Sequence, residues 1–145
     1  MRTRPPIKEL RRIYEESRTI AVVGASPDPN KRANVVPAYL KDQGYRIIPV
    51  NPNHDEVLGE MCYPSLLEVP DPVDVVDVFR PPIDCPDVAR KAVGIGAKVL
   101  WLQLGILSDE AAHIAADGGL AFVEDHCIGQ MHAMLGLGPG PVHDG

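Results

Sequence analysis

Apolar positions along the chain follow two alternating rhythms. Five stretches are almost continuously apolar: "TIAVVG" (19–24), "YRIIPVNP" (45–52), "VDVVDVFRPP" (73–82), "AKVLWLQLG" (97–105) and "LAFVEDHC" (120–127). Runs of this length, closed by Gly, Pro or Asn, suit strands buried on both faces of a parallel sheet. The segments between them keep helical spacing instead. Ile7, Leu10, Ile13 and Tyr14 form one stripe, and Val35, Val36, Tyr39 and Leu40 another. The first stripe predicts a helix over about 7–17 that packs on the domain. The second predicts a helix stopped at Gly44, with Pro37 in its first turn, where a missing N–H does little harm. "PDVARKAVGIG" predicts a helix ending at Gly94 or Gly96. "SDEAAHIAADGG" predicts one that opens on Ser108 as N-cap, carries Asp109 and Glu110 in its first turn and stops at Gly118. "NHDEVLGEMCYPSLLEVP" (53–70) carries no full crossover helix. It predicts a short strand-like piece, a turn at Gly59 and one helical turn near "PSLLEV". The last stretch, about 136–145, reads as a loose tail.

Strands alternating with helices at this spacing give right-handed crossovers and a mostly parallel sheet. The expected architecture is a single α/β domain over 1–145, Rossmann-like and doubly wound. Five strands have helices on both faces, in the order 3-2-1-4-5 counted along the chain.

Composition narrows the functions. The chain has 145 residues, 45% hydrophobic and 23% charged, with a net charge of -6. That charge argues against nucleic acid or a membrane surface as a general partner. No apolar run approaches the ~20 residues of a membrane span. "MRTRPPIKELRRIYEES" has charges but no apolar core, so it is not a secretory signal. Cys62, Cys85 and Cys127 are scattered with no CxxC, which fits reduced thiols and a cytoplasmic location.

Ligands of open parallel sheets bind beyond the carboxyl ends of the strands, near the switch in strand order. Gly24, Ala25 and Ser26 follow the first strand. Gly24 permits a tight turn, and the next helix start suits an anion. Only Gly24 matches the G-x-G-x-x-G of dinucleotide loops. Lys31 and Arg32 oppose the helix dipole unless an anion neutralises them; otherwise they are a solvated basic pair. After the second strand, Asn51, Pro52 and Asn53 stand where a NAD site wants an acid for the ribose hydroxyls. No carboxylate is there to repel a ligand phosphorylated on its ribose, although "NPN" also reads as a plain turn. Arg80 ends the third strand beside Pro81, suited to a phosphate or an adenine face, or to a surface ion pair. Asp74 and Asp77 fall on opposite faces and make no acid–base pair; Asp77, inside an apolar run, is expected to bond backbone or a helix end. Gln103 offers a neutral donor and acceptor, and Gly105 allows close approach. Trp101 reads as core rather than platform. His126 and Cys127 are adjacent on a strand and face apart, which argues against a catalytic dyad. Cys127 and His132 lack further ligands for zinc.

Together, "VVGASPDPNKR", "GYRIIPVNPN", "VDVVDVFRPP", "VLWLQLGI" and "EDHCIG" resemble the small stand-alone CoA-binding proteins, which are similar to the CoA-binding N-terminal domain of the succinyl-CoA synthetase α subunit. The resemblance covers roughly 18–135. It implies a Rossmann-like fold that binds coenzyme A at the carboxyl edge of the sheet. By position, Gly24, Ala25 and Ser26 would meet the phosphates, and Lys31 and Arg32 would add charge. Asn51, Pro52 and Asn53 would border the adenosine. Arg80 and Pro81 would line the pocket, with Gln103, Leu104 and Gly105 along the pantetheine. Cys127 matches a family cysteine near the thiol end. The synthetase subunit's second domain, with its phosphorylated histidine, has no counterpart in this length.

The resemblance implies a protein that binds CoA or an acyl-CoA without catalysis of its own. The alternatives are an NAD(H)-binding module, the CoA-binding component of a ligase or transferase assembled with a partner chain, and a thiol-redox role in which Cys127 forms a mixed disulfide with CoA.

Overall fold

The computed structural model describes residues 4–139. Five parallel strands form its main sheet: β1 (Thr19–Val23), β2 (Arg46–Val50), β5 (Val75–Val78), β6 (Val99–Leu102) and β7 (Ala121–Val123). Five helices accompany them: α1 (Ile7–Glu16), α2 (Arg32–Asp42), α3 (Cys85–Gly94), α4 (Asp109–Asp117) and α5 (Ile128–Met134). The α/β, doubly wound class is the expected one. The last helix falls in a stretch the sequence pattern left unassigned. The tail expected over 136–145 lies outside the described residues from 140 onward, and 136–139 contain no helix or strand.

The strand order differs from the expected one. The sheet runs β2-β1-β5-β6-β7, so the third strand pairs with the first and not with the second. Counted along the chain this is 2-1-3-4-5, the other common doubly wound order. Two features of the sequence explain it. Pro49 has no N–H for a ladder, which suits an edge strand, and β2 is the edge. All four residues of β5 are buried, which suits an interior position.

The pleat sorts the core. Ile20, Val22, Val75, Val99 and Trp101 join Leu10, Ile13, Tyr14, Leu40 and Ile128 on the face covered by α1, α2 and α5. Ala21, Val76, Val78, Leu100 and Leu102 join Val88, Ala89, Ala111 and Ala115 on the face covered by α3 and α4. Trp101 is core, as expected. The connection from β2 to β5 reverses direction across the sheet, so a right-handed crossover must use the α3 face. Its Leu66 packs in that core.

That connection matches its reading. A two-residue-per-strand hairpin, β3 (Glu56–Val57) with β4 (Glu60–Met61), turns at Leu58 and Gly59, whose φ of 56° and 74° are those of a type I′ turn. One 3-10 turn follows at Leu66–Glu68. Lys41 Nζ donates to Leu58 O at 2.7 Å and pairs with Glu60 at 3.0 Å, tying the hairpin to α2.

Pro37 is corrected. Helix α2 begins at Arg32, so Pro37 lies in its second turn. Proline cannot bond the carbonyl four residues back, which is that of Ala33. The Ser26 N–H takes that carbonyl instead, at 3.2 Å. The proline thus opens a place to fasten the loop after β1. At α4 the expected cap is in place, with Ser108 Oγ accepting from Ala111 N at 3.1 Å.

Candidate functional site

The switch in strand order lies between β1 and β5, and the loops leaving those strands touch. Gly24 has φ of 90°, and a Cβ on it would stand 2.9 Å from Phe79 O and 3.1 Å from Arg80 Cδ. Glycine here lets the arginine stem cross the end of β1. The Gly24 N–H donates to Val50 O at 2.9 Å. Asn51 Nδ2 donates to Ala25 O at 2.9 Å, and Asn51 Oδ1 accepts from Asn53 N at 2.9 Å. Asn34 Nδ2 donates to Ser26 O at 2.9 Å, and Ser26 Oγ accepts from Asp28 N at 3.1 Å. Asn51 and Ser26 therefore fix the loops' shape through their side chains. Turn chemistry accounts for "NPN" fully at Asn51.

A cleft of ≈ 310 Å³ opens on the α3 side of this junction. Of the predicted residues it gathers Gly24, Asn51, Pro52, Asn53 and Arg80. The cleft also takes Pro64, Ser65 and Leu66 from the β2–β5 connection, and Asp84, Asp87, Val88 and Lys91 from around α3. These were missed because the expected strand order put the third strand beyond the second, away from Gly24. Arg80 Nη2 and Nε both donate to Asp84 Oδ2, at 2.7 and 3.2 Å, and Lys91 Nζ lies 3.0 Å from Asp87 Oδ2. The surface ion pair weighed for Arg80 is real, and the same side chain faces the cleft. No carboxylate stands at Asn51, Pro52 or Asn53, as read from the sequence, but two reach the cleft from the start of α3, where the helix dipole favours acids.

A second hollow, ≈ 350 Å³, lies on the opposite face between α2 and α5. Arg32 and Cys127 border it with Val35, Val36 and Tyr39. Cys127 Sγ caps α5 by accepting from Gln130 N at 3.5 Å. Ala25, Ser26, Lys31, Pro81, Leu104 and Gly105 line neither hollow. Lys31 is the N-cap of α2 without a side-chain cap bond, and no acid sits in that helix's first turn. The first N–H groups of any helix lack intrahelical acceptors, so this start, with Lys31 and Arg32 on it, is electropositive, although the Asp28 carboxylate lies in the turn before it, bound to Asn30 N at 2.9 Å. Leu104 is half exposed at the rim, and Gly105 N donates to Asp125 Oδ1 at 2.7 Å.

Gln103 is buried and turned inward. Its Nε2 donates to Asp77 Oδ1, and its Oε1 accepts from Ile128 N at 3.4 Å. Its side-chain groups are thus engaged inside. Asp77 was expected to bond backbone or a helix end; its partner is this side chain on the next strand. Asp77 is wholly buried, and burial pushes its carboxyl up to about 8, partly opposed by the Gln103 bond. Its Oδ2 has no partner. Nearby, the buried His132 lies against the rings of Tyr14, Tyr39 and Tyr45 and meets Tyr39 OH through Nδ1 at 2.8 Å. Burial lowers its pKa. No local pattern in the sequence marks this cluster, because its members come from three helices, α1, α2 and α5, and from the residue before β2.

His126 bonds Glu124 O through Nδ1 at 2.6 Å, away from Cys127. Cys62, Cys85 and Cys127 are buried free thiols. Among the described residues no group of three potential ligands could hold a metal ion, and no helix is long and apolar enough to cross a membrane.

Known proteins are similar to this chain in sequence and fold. A family model described as a CoA binding domain matches residues 18–133. The protein YneT of Bacillus subtilis is 38% identical over 130 residues, covering 90% of this chain and 96% of that one. A hypothetical protein from Pyrococcus horikoshii has a solved structure with a TM-score of 0.89 and 40% identity, covering 93% of this chain and 98% of that one. An ADP-forming acetate–CoA ligase of Archaeoglobus fulgidus is 28% identical over 130 residues; the match spans 83% of this chain but 19% of the ligase.

Proposed function

The chain belongs to the CoA-binding domain family, and from that premise we propose that it binds coenzyme A or an acyl-CoA across the carboxyl edge of its sheet, without catalysis of its own. The observation that carries this reading is the junction at Gly24. Here a glycine without a Cβ lets Phe79 O and the Arg80 stem close against the loop after β1, and that one loop joins a cleft on one face to the helix start with Lys31 and Arg32 on the other. A nucleotide with a long arm suits a loop shared in this way. The adenosine would sit among Asn51, Pro52, Asn53 and Arg80. The pyrophosphate would pass over Gly24, Ala25 and Ser26 toward Lys31 and Arg32. The arm would follow Leu104 and Gly105 toward the hollow beside Cys127. Pro81 would stiffen the Arg80 loop, and Gln103 would act from inside, holding the start of α5.

Isothermal titration of CoA into the purified protein, repeated with NADH as competitor, tests the reading. Saturable CoA binding that NADH fails to displace supports it. Displacement of CoA by NADH at comparable concentration contradicts it and favours a dinucleotide module.

A second reading is a CoA-binding component working with a partner chain. It is motivated by the match to one region of a longer acetate–CoA ligase. Co-purification of a stable nucleotide-binding partner with tagged protein would favour it; a lone chain that binds CoA fully would not.

A further inference from the structure

We propose that Asp84 sets which anion the cleft accepts. Its carboxylate stands in for a ligand phosphate on Arg80, and a ligand enters by taking those donors over. The inference rests on the reading that an adenosine ligand occupies this cleft.

Four charges line up along the cleft wall with regular spacing: Arg80, Asp84, Asp87 and Lys91. Arg80 pairs with Asp84 and Lys91 with Asp87, each four residues apart. Two cations and two carboxylates leave this wall formally neutral. A phosphate that lands here without displacing an acid meets repulsion as well as attraction.

The geometry makes the first pair an exchangeable one. Arg80 sends Nε and Nη2 to a single oxygen, Asp84 Oδ2, at 3.2 and 2.7 Å. That wastes the guanidinium's fork, which is matched best by two separate acceptor oxygens. A phosphate monoester offers three oxygens and, above its second pKa of about 6, close to two charges. Both side chains are about half exposed, 50% and 41%, and exposed pairs are held weakly. The guanidinium is not free to leave the site, however. Its stem lies across Gly24, with Cδ 3.1 Å from where a Cβ would be. Arg80 is thus held at the cleft while its partner can change. A dianionic phosphate wins the exchange; a sugar hydroxyl, which brings no charge, does not. Asp84 becomes a filter that admits to Arg80 only an anion able to displace it, which costs affinity for a ligand with an extra phosphate on its ribose and none for one with a hydroxyl, and Asp87 does the same for Lys91 one turn along.

The test compares CoA with dephospho-CoA by calorimetry in the wild type, Asp84→Asn, Asp87→Asn and Lys91→Gln. Asn keeps the size of the side chain and removes its charge, and urea unfolding checks that each variant folds as stably as the wild type. Removing the competing charge should tighten CoA by about 3- to 10-fold and leave dephospho-CoA within about 2-fold. Lys91→Gln should weaken CoA and spare dephospho-CoA. If Asp84→Asn leaves the ratio of the two affinities unchanged, or weakens both ligands together, Asp84 is a plain surface partner or a direct ligand contact, and the filter is refuted. A wild type that binds neither ligand removes the parent reading itself. A wild type that binds CoA with an unmoved ratio removes this inference alone.

Discussion

Replacing Gly24 with alanine should damage stability and binding together, and the structure sets the scale. Gly24 has φ of 90°, a region L side chains rarely adopt. Left-handed backbone costs a residue with a Cβ roughly 1–2 kcal/mol. The new methyl would also stand 2.9 Å from Phe79 O, which is backbone. That strand end is pinned, because Phe79 N donates to Val23 O at 2.9 Å. Overpacking against a wall that cannot yield adds about 1–3 kcal/mol. The sum, about 2–5 kcal/mol, is a large part of the roughly 5–15 kcal/mol of a typical domain. Arg80 Cδ, 3.1 Å from the same point, would be pushed from its place over the loop. Urea unfolding should show the loss, and CoA affinity measured on the folded variant should fall at least about tenfold, which is about 1.4 kcal/mol. Gly129→Ala is the control for stability alone, since Gly129 borders the hollow beside Cys127. Its φ is not positive, and its Cβ would meet only side-chain atoms, Val36 Cγ1 at 3.1 Å and Tyr39 Cδ2 at 3.4 Å. Alanine inside a helix gains about 0.5–1 kcal/mol over glycine, which offsets that contact. If Gly24→Ala costs no more than the ~0.5 kcal/mol of a surface change and CoA binds as before, the close approach of the two loops is not what shapes the site.

Three further outcomes follow from the buried groups and the loop anchor. Asp77 has its pKa raised from 3.8 to about 8, so between those values the folded state holds a proton the unfolded state has lost, and stability should fall as pH rises through that window; urea midpoints of Asp77→Asn should be flat where the wild type slopes. His132 has its pKa lowered from 6.5 by burial, so stability should drop as pH falls below 6.5, and His132→Gln should lose that acid-side slope while keeping its tolerance of alkali. An unchanged slope in either variant would assign the pH dependence to other groups. Pro37→Ala would restore an N–H that competes for Ala33 O, so amide exchange at Ser26 should speed up; full protection there would show that the proline does not hold the loop.

Much of the fold was legible because single residues carry strong local rules. Continuous apolar runs gave the strands, Ser108 the start of α4, and Gly59 the hairpin turn. The strand order differs from the expected one although its signal is present: Pro49 belongs on an edge, and "VDVVDVF", apolar but for two aspartates, belongs inside. That difference hid half of the cleft. Asp84, Asp87 and Lys91 look like ordinary helix-surface charges until β5 is placed beside β1, and only then do they face Gly24. Gln103 misled for another reason. Its type suits a ligand contact, but its direction is fixed by Asp77 on a strand remote in sequence. The helix α5 is hard to read because seven residues with a glycine, Gly129, inside and no charged cap carry little helical signal; its start is capped by a thiol, Cys127.

The most direct measurement is a crystal grown with CoA and NADH present at equal concentration. The account predicts CoA lying over Gly24, its adenosine against Arg80 and Asn51 and its arm reaching toward Cys127. A dinucleotide seated over Gly24 with CoA excluded, or CoA held elsewhere on the molecule, would contradict it.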